Sequence, residues 1–158
     1  MKSLLIVYSY HHRNTEKIAR VFSNVLDARI ISPQEVNPGD LSDFGLIGFG
    51  SGIYSGRHHE YLLSLADRLP QVTDGKAFIF STAGITGASK TVKDHALLRE
   101  KLQSKGYVIV GEFSCKGFNT NSFLKFFGGM NKGRPNDEDL TLAKELAVNL
   151  KEQYMSGR

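Results

Sequence analysis

The stretch Ser9-Tyr10-His11-His12-Arg13-Asn14-Thr15 separates two different apolar patterns and thereby decides the fold. Before it stands the continuous apolar run Leu4-Leu5-Ile6-Val7, which is typical of a strand buried on both faces. After it, apolar residues recur at helical spacing, at Ile18, Val21, Phe22 and Val25. A buried strand that turns directly into a helix leaves unpaired backbone N–H groups at the helix N-terminus, where the helix dipole also favours negative charge. The sequence therefore predicts an anion-binding turn, followed by a helix with Asn14 as its N-cap.

Strand and helix patterns alternate along the rest of the chain. Strands are predicted at residues 2–8, 28–31, 44–49, 76–81 and 107–113. Helices are predicted from Asn14, at residues 58–69, at residues 91–104 with a weaker apolar period, and from Asn136. Strands that alternate with helices in this way form a parallel sheet covered by helices on both faces. With 158 residues, the chain is expected to be one α/β domain over residues 1–158 with five strands.

The composition is that of a globular protein, with 41% hydrophobic and 23% charged residues. No apolar run approaches the roughly 20 residues that span a bilayer, and no signal-peptide pattern opens the chain, so we expect a cytoplasmic protein without a membrane span. Cys115 is the only cysteine, which excludes an internal disulfide, and we expect it to be buried as a small apolar residue. The net charge of +4 favours acidic partners, but no nucleic-acid recognition motif accompanies it, so no nucleic-acid binding is predicted.

Two further loops are expected beside the first turn, because ligands of open parallel sheets bind at the carboxyl ends of the strands. The loop after the third strand reads Ser51-Gly52-Ile53-Tyr54-Ser55-Gly56-Arg57, in which glycine permits close approach of a flat ligand and Tyr54 is able to stack on it. The loop after the fourth strand is small, neutral and rich in donors, and reads Thr82-Ala83-Gly84-Ile85-Thr86-Gly87-Ala88-Ser89. The alternative interpretation is that all three segments are ordinary connections: a capped turn, a surface loop and a long glycine-containing turn.

Residue types narrow the class of anion that the first turn would bind. The first strand is followed neither by the GxGxxG pattern of dinucleotide sites nor by the GxxxxGK pattern of nucleotide-hydrolysing phosphate loops. A phosphoacceptor domain would need acidic residues at the ends of the first and third strands, where this chain has Ser9-Tyr10 and Gly50-Ser51. The turn instead offers the hydroxyl groups of Ser9 and Thr15, the Asn14 amide, the Arg13 charge and the backbone amides of residues 10–15. This set suits a monophosphate on a flat aromatic cofactor, and FMN fits that description.

At these positions the chain resembles the flavodoxin-like proteins. Three motifs carry the resemblance: Leu4 and Ile6-Val7-Tyr8-Ser9 with Asn14-Thr15, then Gly50-Ser51-Gly52-Ile53-Tyr54, and then Ser81-Thr82-Ala83-Gly84. The resemblance implies a flavodoxin-like three-layer α/β/α sandwich with a five-stranded parallel sheet of order 2-1-3-4-5. It also implies FMN held noncovalently at the carboxyl edge of that sheet.

The resemblance further implies which residues bind the cofactor. The phosphate would be held by Ser9, His11, Arg13, Asn14 and Thr15, with the Tyr10 amide in the same turn. One side of the flavin ring would be covered by Ser51, Gly52, Ile53, Tyr54 and Ser55. Its other side or edge would be approached by Thr82, Ala83, Gly84, Ile85 and Thr86. The chain departs from typical flavodoxins in its basic charge, in His11-His12-Arg13 where small hydroxyl residues and glycine are familiar, and in its lack of tryptophan.

Three functions follow from this interpretation. The first is an electron carrier that binds FMN and shuttles electrons between redox protein partners, which the small size and the absence of an evident nicotinamide site favour. The second is an FMN-dependent NAD(P)H:quinone-type reductase, so enzyme activity is left open. The third is a flavodoxin fold without FMN that serves as an interaction module. Neither the identity of the partners nor the oligomeric state is predicted.

The histidine pairs and residues 115–136 are also conspicuous in the sequence. The pairs His11-His12 and His58-His59 do not predict a metal site, because adjacent side chains face different ways and no cysteine or carboxylate cluster joins them. His58 is expected to open a helix near the flavin. Sequence spacing predicts no nucleophilic Ser-His-Asp arrangement. Residues 115–136 combine lysine, arginine and phenylalanine without an acidic residue, which predicts either cover for the sheet edge or a docking surface.

Overall fold

The computed structural model describes residues 2–9, 13–117 and 131–155. In these ranges the strands are β1 (Ser3–Tyr8), β2 (Arg29–Ile31), β3 (Leu46–Tyr54), β4 (Arg57–His58), β5 (Gly75–Ala83) and β6 (Tyr107–Lys116). The α-helices are α1 (Asn14–Leu26), α2 (Glu60–Arg68), α3 (Ala88–Ser104) and α4 (Asp137–Leu150), and α4 continues into a π-helical turn (Lys151–Met155). Two short 3-10 helices, Pro33–Glu35 and Pro38–Asp43, connect β2 to β3.

The sheet has the strand order that the resemblance to flavodoxin-like proteins implied. β2, β1, β3, β5 and β6 are parallel neighbours in that order. Because β5 and β6 are the predicted fourth and fifth strands, the predicted order 2-1-3-4-5 is confirmed. β4 is an addition that the sequence analysis missed. It contributes two residues, which pair antiparallel with the end of β3.

The core lies in two layers, one on each face of the sheet. One cluster of buried side chains joins the sheet to α2 and α3 and includes Phe49 and Leu98. The other cluster joins the sheet to α1 and α4 and includes Phe22 and Ala147. Helices therefore cover both faces of the sheet, and the predicted three-layer α/β/α sandwich is confirmed.

Close packing of aromatic rings explains two glycines in β3. Phe22 packs against Phe78 and Phe80, with ring centroids 5.0 Å apart in each pair. Gly48 and Gly50 lie beside these rings, and a Cβ on either glycine would overlap the neighbouring phenylalanine. Gly50 is therefore required by the packing of the core, and it lies inside a strand rather than at the start of a loop.

Three strands run further than the sequence predicted. β3 continues to Tyr54 and β5 to Ala83, so residues 51–54 and 82–83 are strand and not loop. The apolar runs end before these extensions, but backbone pairing continues: Tyr8 still pairs with Ser51, and Gly52 still pairs with Thr82. β6 likewise continues to Lys116, so Cys115 lies in a strand rather than in an irregular segment. Cys115 is 5% exposed, as expected of a small apolar residue.

α1 and α4 begin where the sequence predicted, whereas α2 and α3 begin two or three residues away from their predicted starts. At the start of α4, the Asn136 side chain accepts the Asp139 N–H while the Asp139 carboxylate accepts the Asn136 N–H. The predicted N-cap of α1 is wrong, because Asn14 is the first helical residue and not the residue before it. Arg13, at a φ of 54°, takes the N-cap position without a side-chain hydrogen bond. His58 does not open a helix either, because it lies in β4 and α2 begins at Glu60.

Residues 115–136 were predicted either to cover the sheet edge or to form a docking surface, and their phenylalanine-rich part, residues 118–130, lies outside the described residues. Within the ranges that are described, no helix has both the length and the apolar character needed to cross a membrane.

Candidate functional site

The first turn joins β1 to α1. Tyr10 and His11, which belong to the predicted cofactor site, lie outside the described residues. Ser9 Oγ accepts the backbone N–H of Glu16 at 3.2 Å, so Ser9 rather than Asn14 caps the first turn of the helix. The Arg13 side chain is 74% exposed and pairs with Glu16 at 3.3 Å. The turn therefore presents an exposed guanidinium beside a helix N-terminus, an arrangement that suits an anion.

Asn14 and Thr15 are both buried, at 8% and 2% exposure. Thr15 Oγ1 and Thr82 Oγ1 are 2.8 Å apart in a buried hydrogen bond that joins α1 to the end of β5. Asn14 packs against Gly117, where an added Cβ would lie 2.6 Å from Asn14 Nδ2. These contacts hold the first turn against the ends of β5 and β6, and so bring it next to the third predicted loop.

The second predicted loop is a β-hairpin. Ile53 pairs with His58 and Tyr54 pairs with Arg57. Between them, the turn residues Ser55 and Gly56 have φ angles of 52° and 77°. Positive φ at both turn residues is what a type I′ turn requires, and that turn matches the twist of a hairpin. Residues 51–54 are therefore held in a regular strand, and only Ser55 and Gly56 form the tip.

The base of this hairpin is fixed by Ser51, which is fully buried. Ser51 Oγ accepts the His59 N–H at 3.0 Å and donates to the Gly52 carbonyl oxygen at 2.7 Å. The Tyr54 ring lies over Gly52: a Cβ on that glycine would be 3.1 Å from Tyr54 Oη. Gly52 thus lets the tyrosine fold back onto the strand that carries it.

Four side chains, Tyr8, Tyr54, His59 and Tyr61, form an aromatic cluster at the ends of β1 and β3. The His59 ring stacks on Tyr8 with centroids 4.1 Å apart, and its centroid lies 4.6 Å from that of Tyr61 and 5.2 Å from that of Tyr54. Burial lowers the pKa of His59, which favours its neutral form. Of these four residues, the sequence predicted only Tyr54 as part of the site. Tyr8, His59 and Tyr61 could also have been predicted, because each is an aromatic residue at the end of β1 or at the start of α2, on the same edge of the sheet.

The third predicted loop is reduced to residues 84–87, because Thr82 and Ala83 belong to β5. Gly117 N–H donates to the Ala83 carbonyl at 3.0 Å, and Asn131 Nδ2 donates to the Gly84 carbonyl at 2.7 Å. Ile85 is 63% exposed, while Thr86 is half-buried. The loop carries no charged side chain, so it presents a neutral, partly apolar wall.

The strand register places the three predicted segments side by side, because β1, β3 and β5 are consecutive in the sheet. The structure brings these predicted site residues to one edge: Ser9, Arg13, Asn14, Thr15, Ser51, Gly52, Ile53, Tyr54, Ser55, Thr82, Ala83, Gly84, Ile85 and Thr86. Their role in binding a cofactor stays a prediction.

A buried polar network lies beneath the hairpin, and the sequence analysis missed it. His95 Nε2 is 2.7 Å from Ser81 Oγ, and His95 Nδ1 is 2.8 Å from Glu112 Oε1. Arg99 holds the same carboxylate through two hydrogen bonds of 2.7 and 2.8 Å. Partial burial opposes ionisation of Glu112, but the hydrogen bonds from His95 and Arg99 outweigh it and lower the pKa of Glu112 to about 2. The carboxylate is therefore ionised, and it fixes the proton of His95 on Nδ1.

Ser81, His95 and Glu112 have the contacts of a nucleophilic triad, although sequence spacing gave no reason to propose one. Ser81 is 1% exposed and His95 is fully buried, so a substrate has no approach to the serine hydroxyl. Burial also raises the pKa of the Cys115 thiol to about 12, which removes its nucleophilic form at neutral pH. In the part of the chain that the structure describes, no group of three His, Cys, Asp or Glu residues is arranged to hold a metal ion.

Comparisons with known proteins agree with this geometry. A family model described as a flavodoxin domain matches residues 5–122. An uncharacterised protein of Methanocaldococcus jannaschii is 46% identical over 150 residues, which are 95% of this chain and 98% of that protein.

Two solved structures have a similar fold. Oxidised Flavodoxin 2 from Bacillus cereus has a TM-score of 0.73 at 16% identity, over 98% of this chain and 100% of the other. A Fusobacterium nucleatum flavodoxin bound to flavin mononucleotide has a TM-score of 0.67 at 13% identity, over 98% and 99%. Because the family model covers most of the chain and the fold agrees, this chain belongs to the flavodoxin domain family.

Proposed function

We propose that this protein binds FMN noncovalently at the carboxyl edge of its sheet and carries electrons between redox proteins. The observation that carries the proposal is the Thr15–Thr82 hydrogen bond, which joins the first turn to the third loop across the end of β3. This is the edge where the strand order reverses, between β1 and β3, and ligands of open parallel sheets bind at that point. Membership of the flavodoxin domain family supports a flavin, and the FMN bound to the Fusobacterium nucleatum flavodoxin supports FMN in particular.

The phosphate of FMN would bind at the first turn. Arg13 supplies an exposed positive charge, and the N-terminus of α1 supplies backbone N–H groups and the positive end of the helix dipole. Ser9 and Thr15 add hydroxyl groups next to it, and Asn14 adds an amide. Tyr10 and His11 would also contribute, as the resemblance implies. The single guanidinium of this turn is already paired with the Glu16 carboxylate, and so small an excess of positive charge fits a single phosphate group better than a polyphosphate.

The flavin ring would lie between the hairpin and the third loop. Residues 51–55 would cover one side, with Tyr54 as the aromatic partner in a chain that has no tryptophan. Residues 82–86 would face the other side or the edge. Bound FMN would supply the transfer of one or two electrons. The chain itself would hold the phosphate, orient the ring and limit the access of water through the aromatic cluster.

Electron exchange with partner proteins is what the flavodoxin family membership leads us to expect. The first test is a fluorescence titration in which FMN-free protein is added to FMN. We expect quenching of flavin fluorescence at a ratio of one FMN per chain. Fluorescence that stays constant over the titration would overturn the proposal and favour the alternative of an interaction module without FMN.

A second test separates the carrier from the reductase. The FMN-loaded protein is mixed with NADPH and a quinone, and NADPH oxidation is followed by absorbance. A carrier should oxidise NADPH no faster than free FMN does, yet it should accept electrons from a reductase added to the same mixture. Rapid turnover without that reductase would instead establish an FMN-dependent NAD(P)H:quinone-type reductase.

A further inference from the structure

The β3–β4 hairpin projects beyond the parallel sheet. The pairing between β3 and β5 ends at Gly52 and Thr82, and beyond that point β3 pairs with the two residues of β4. A two-stranded hairpin this short is not stable alone in water. The position of its tip relative to the third loop must therefore depend on contacts that its own side chains make with the body of the protein.

His58 makes such a contact. It is 1% exposed, and its Nε2 lies 3.1 Å from the carbonyl oxygen of Phe80 in β5. Because a carbonyl oxygen only accepts, His58 must carry its proton on Nε2 and donate it to Phe80. Burial, reinforced by the neighbouring His95, lowers the pKa of His58 to about 3. The imidazole is therefore neutral and keeps this donor at physiological pH.

The surface that receives His58 is itself held together by hydrogen bonds. The His58 ring lies against the His95 ring, with centroids 4.9 Å apart. His95 belongs to α3 and is held by Ser81 of β5 and by Glu112 of β6. Arg99 fixes the same carboxylate from the following turn of α3. One histidine of the hairpin is thus seated on a hydrogen-bonded unit that spans three elements.

His58 is not the residue that stability alone would favour at this position. Among the described residues, nothing donates a hydrogen bond to its Nδ1, which is buried. A buried acceptor without a donor lowers stability, whereas an apolar side chain of similar size would fill the same space without that penalty. The bond from Nε2 to Phe80 is therefore the better explanation for a histidine here.

We propose that His58 is a positioning residue that docks the hairpin, through Phe80 and His95, so that residues 53–56, which lie beyond the parallel sheet, stay at a fixed place beside the third loop. The proposal rests on the proposed FMN site for its functional meaning. The docking itself concerns the FMN-free chain, and it can be measured there independently.

The test compares three variants. His58→Leu removes the donor and keeps the volume. His58→Gln keeps an N–H donor at a similar distance from the backbone. Arg57→Ala is the matched control, because Arg57 is the neighbouring residue of the same hairpin and is exposed.

The first readout is amide hydrogen exchange in the FMN-free protein, followed for the hairpin and for His59, whose N–H bonds Ser51. The Leu variant should exchange these amides at least about tenfold faster than wild type, while β1 amides keep their rates. The second readout is FMN affinity, which should weaken about tenfold or more in the Leu variant with little change in the thermal midpoint. The Gln variant should recover most of both losses, and the Arg57→Ala variant should behave as wild type.

The inference is overturned if the Leu variant keeps wild-type exchange and wild-type affinity, or if the Gln variant loses as much as the Leu variant. If the Leu variant does not fold, His58→Asn replaces it, because the shorter amide cannot reach the Phe80 carbonyl. An absence of FMN binding in the wild type would reject the proposed function, while the exchange experiment would still decide whether His58 docks the hairpin.

Discussion

Thr15 Oγ1 in α1 and Thr82 Oγ1 in β5 share a buried hydrogen bond of 2.8 Å. The two residues are 2% and 5% exposed, so water does not substitute for either partner. Because β3 lies between β1 and β5, this bond fixes the distance between the first turn and the third loop across an intervening strand. Two of the three segments of the proposed FMN site are thereby held together in the FMN-free chain.

The first prediction concerns this threonine pair. Thr15→Val and Thr82→Val each leave one buried hydroxyl without its partner, which should lower the free energy of unfolding by about 1–3 kcal/mol. The double variant should lose less than the sum of the two, because it removes both polar groups. Urea unfolding of the FMN-free protein measures all three variants.

Thr141→Val, at an exposed position of α4, is the control and should change stability by no more than about 0.5 kcal/mol. Losses that simply add would show that the two hydroxyl groups do not stabilise each other.

The second prediction concerns pH. Burial holds the folded-state pKa of His58 at about 3, below its ordinary value of 6.5. The unfolded chain therefore binds a proton at this residue over the range between those values, and the folded chain does not. The unfolding free energy should fall as pH falls from about 6.5 towards 3, by up to about 1.4 kcal/mol per pH unit for this one group.

Between pH 6.5 and 5, the change of the unfolding free energy with pH contains the contribution of His58 but not that of Glu112. The Glu112 pKa is lowered from 4.5 to about 2, so its stabilisation is present above pH 4.5 and is lost only below that. Thermal or urea unfolding at several pH values should show a shallower slope in His58→Gln than in wild type over the higher window. Parallel curves for the two proteins would mean that His58 is protonated in the folded state as readily as in the unfolded one.

The third prediction concerns Gly50. A Cβ at this position would overlap the Phe80 ring, which also packs against Phe22. Gly50→Ala should therefore destabilise the protein by about 1–3 kcal/mol through overpacking, even though it adds a single methyl group. Gly39→Ala is the matched control, since a Cβ there would lie 3.7 Å from its nearest neighbour, Asn37 Oδ1. Equal thermal midpoints for the two variants would contradict the packing argument.

The sequence predicted the sheet well, because its three central strands, β1, β3 and β5, are apolar runs with a backbone partner on both sides. Leu4-Leu5-Ile6-Val7 illustrates this, since all four side chains are buried. The ends of the strands were predicted less well. Ser51 and Thr82 remain paired in the sheet, but their small polar side chains carry no apolar signal. β4 left no pattern by which it could have been found, because it has only two residues, Arg57 and His58, and both are polar.

The polar network could not be predicted from spacing, because its members lie on different elements. Ser81, His95 and Glu112 meet only after α3 has packed against β5 and β6. The weak apolar period of α3 was the available signal, and it has a structural cause. The inner face of this helix carries buried Asp94 and His95 as well as Leu98 and Leu102. A polar position on an inward helix face indicates a buried hydrogen-bond network, and this helix is an example.

The prediction of the α1 N-cap was wrong because the capping contact joins residues that the fold brings together. Asn14 is a favourable N-cap residue by type, yet the cap acceptor is Ser9 Oγ, which reaches Glu16 N–H across the turn. Arg13 takes a left-handed conformation, which lets the chain enter the helix one residue earlier. The geometry of the turn after β1 therefore decided the capping residue, and the preference of asparagine for the N-cap position did not.

The last prediction concerns the electronic surroundings of the proposed flavin ring. Residues 51–55 and 82–86 contain no aspartate or glutamate, so no carboxylate of these segments would oppose negative charge on the reduced ring. Thr86→Asp introduces such a charge at a half-buried position of the third loop. It should lower the midpoint potential for the second electron by an amount on the order of tens of millivolts, because like charges repel at short range.

Thr86→Asn has nearly the same shape as Thr86→Asp without the charge, and it should leave this potential close to wild type. Redox titration of the FMN-loaded proteins measures the difference, which should shrink as ionic strength rises. Identical potentials for the Asp and Asn variants would place the third loop too far from the ring to influence it, and residues 82–86 would then not belong to the FMN site.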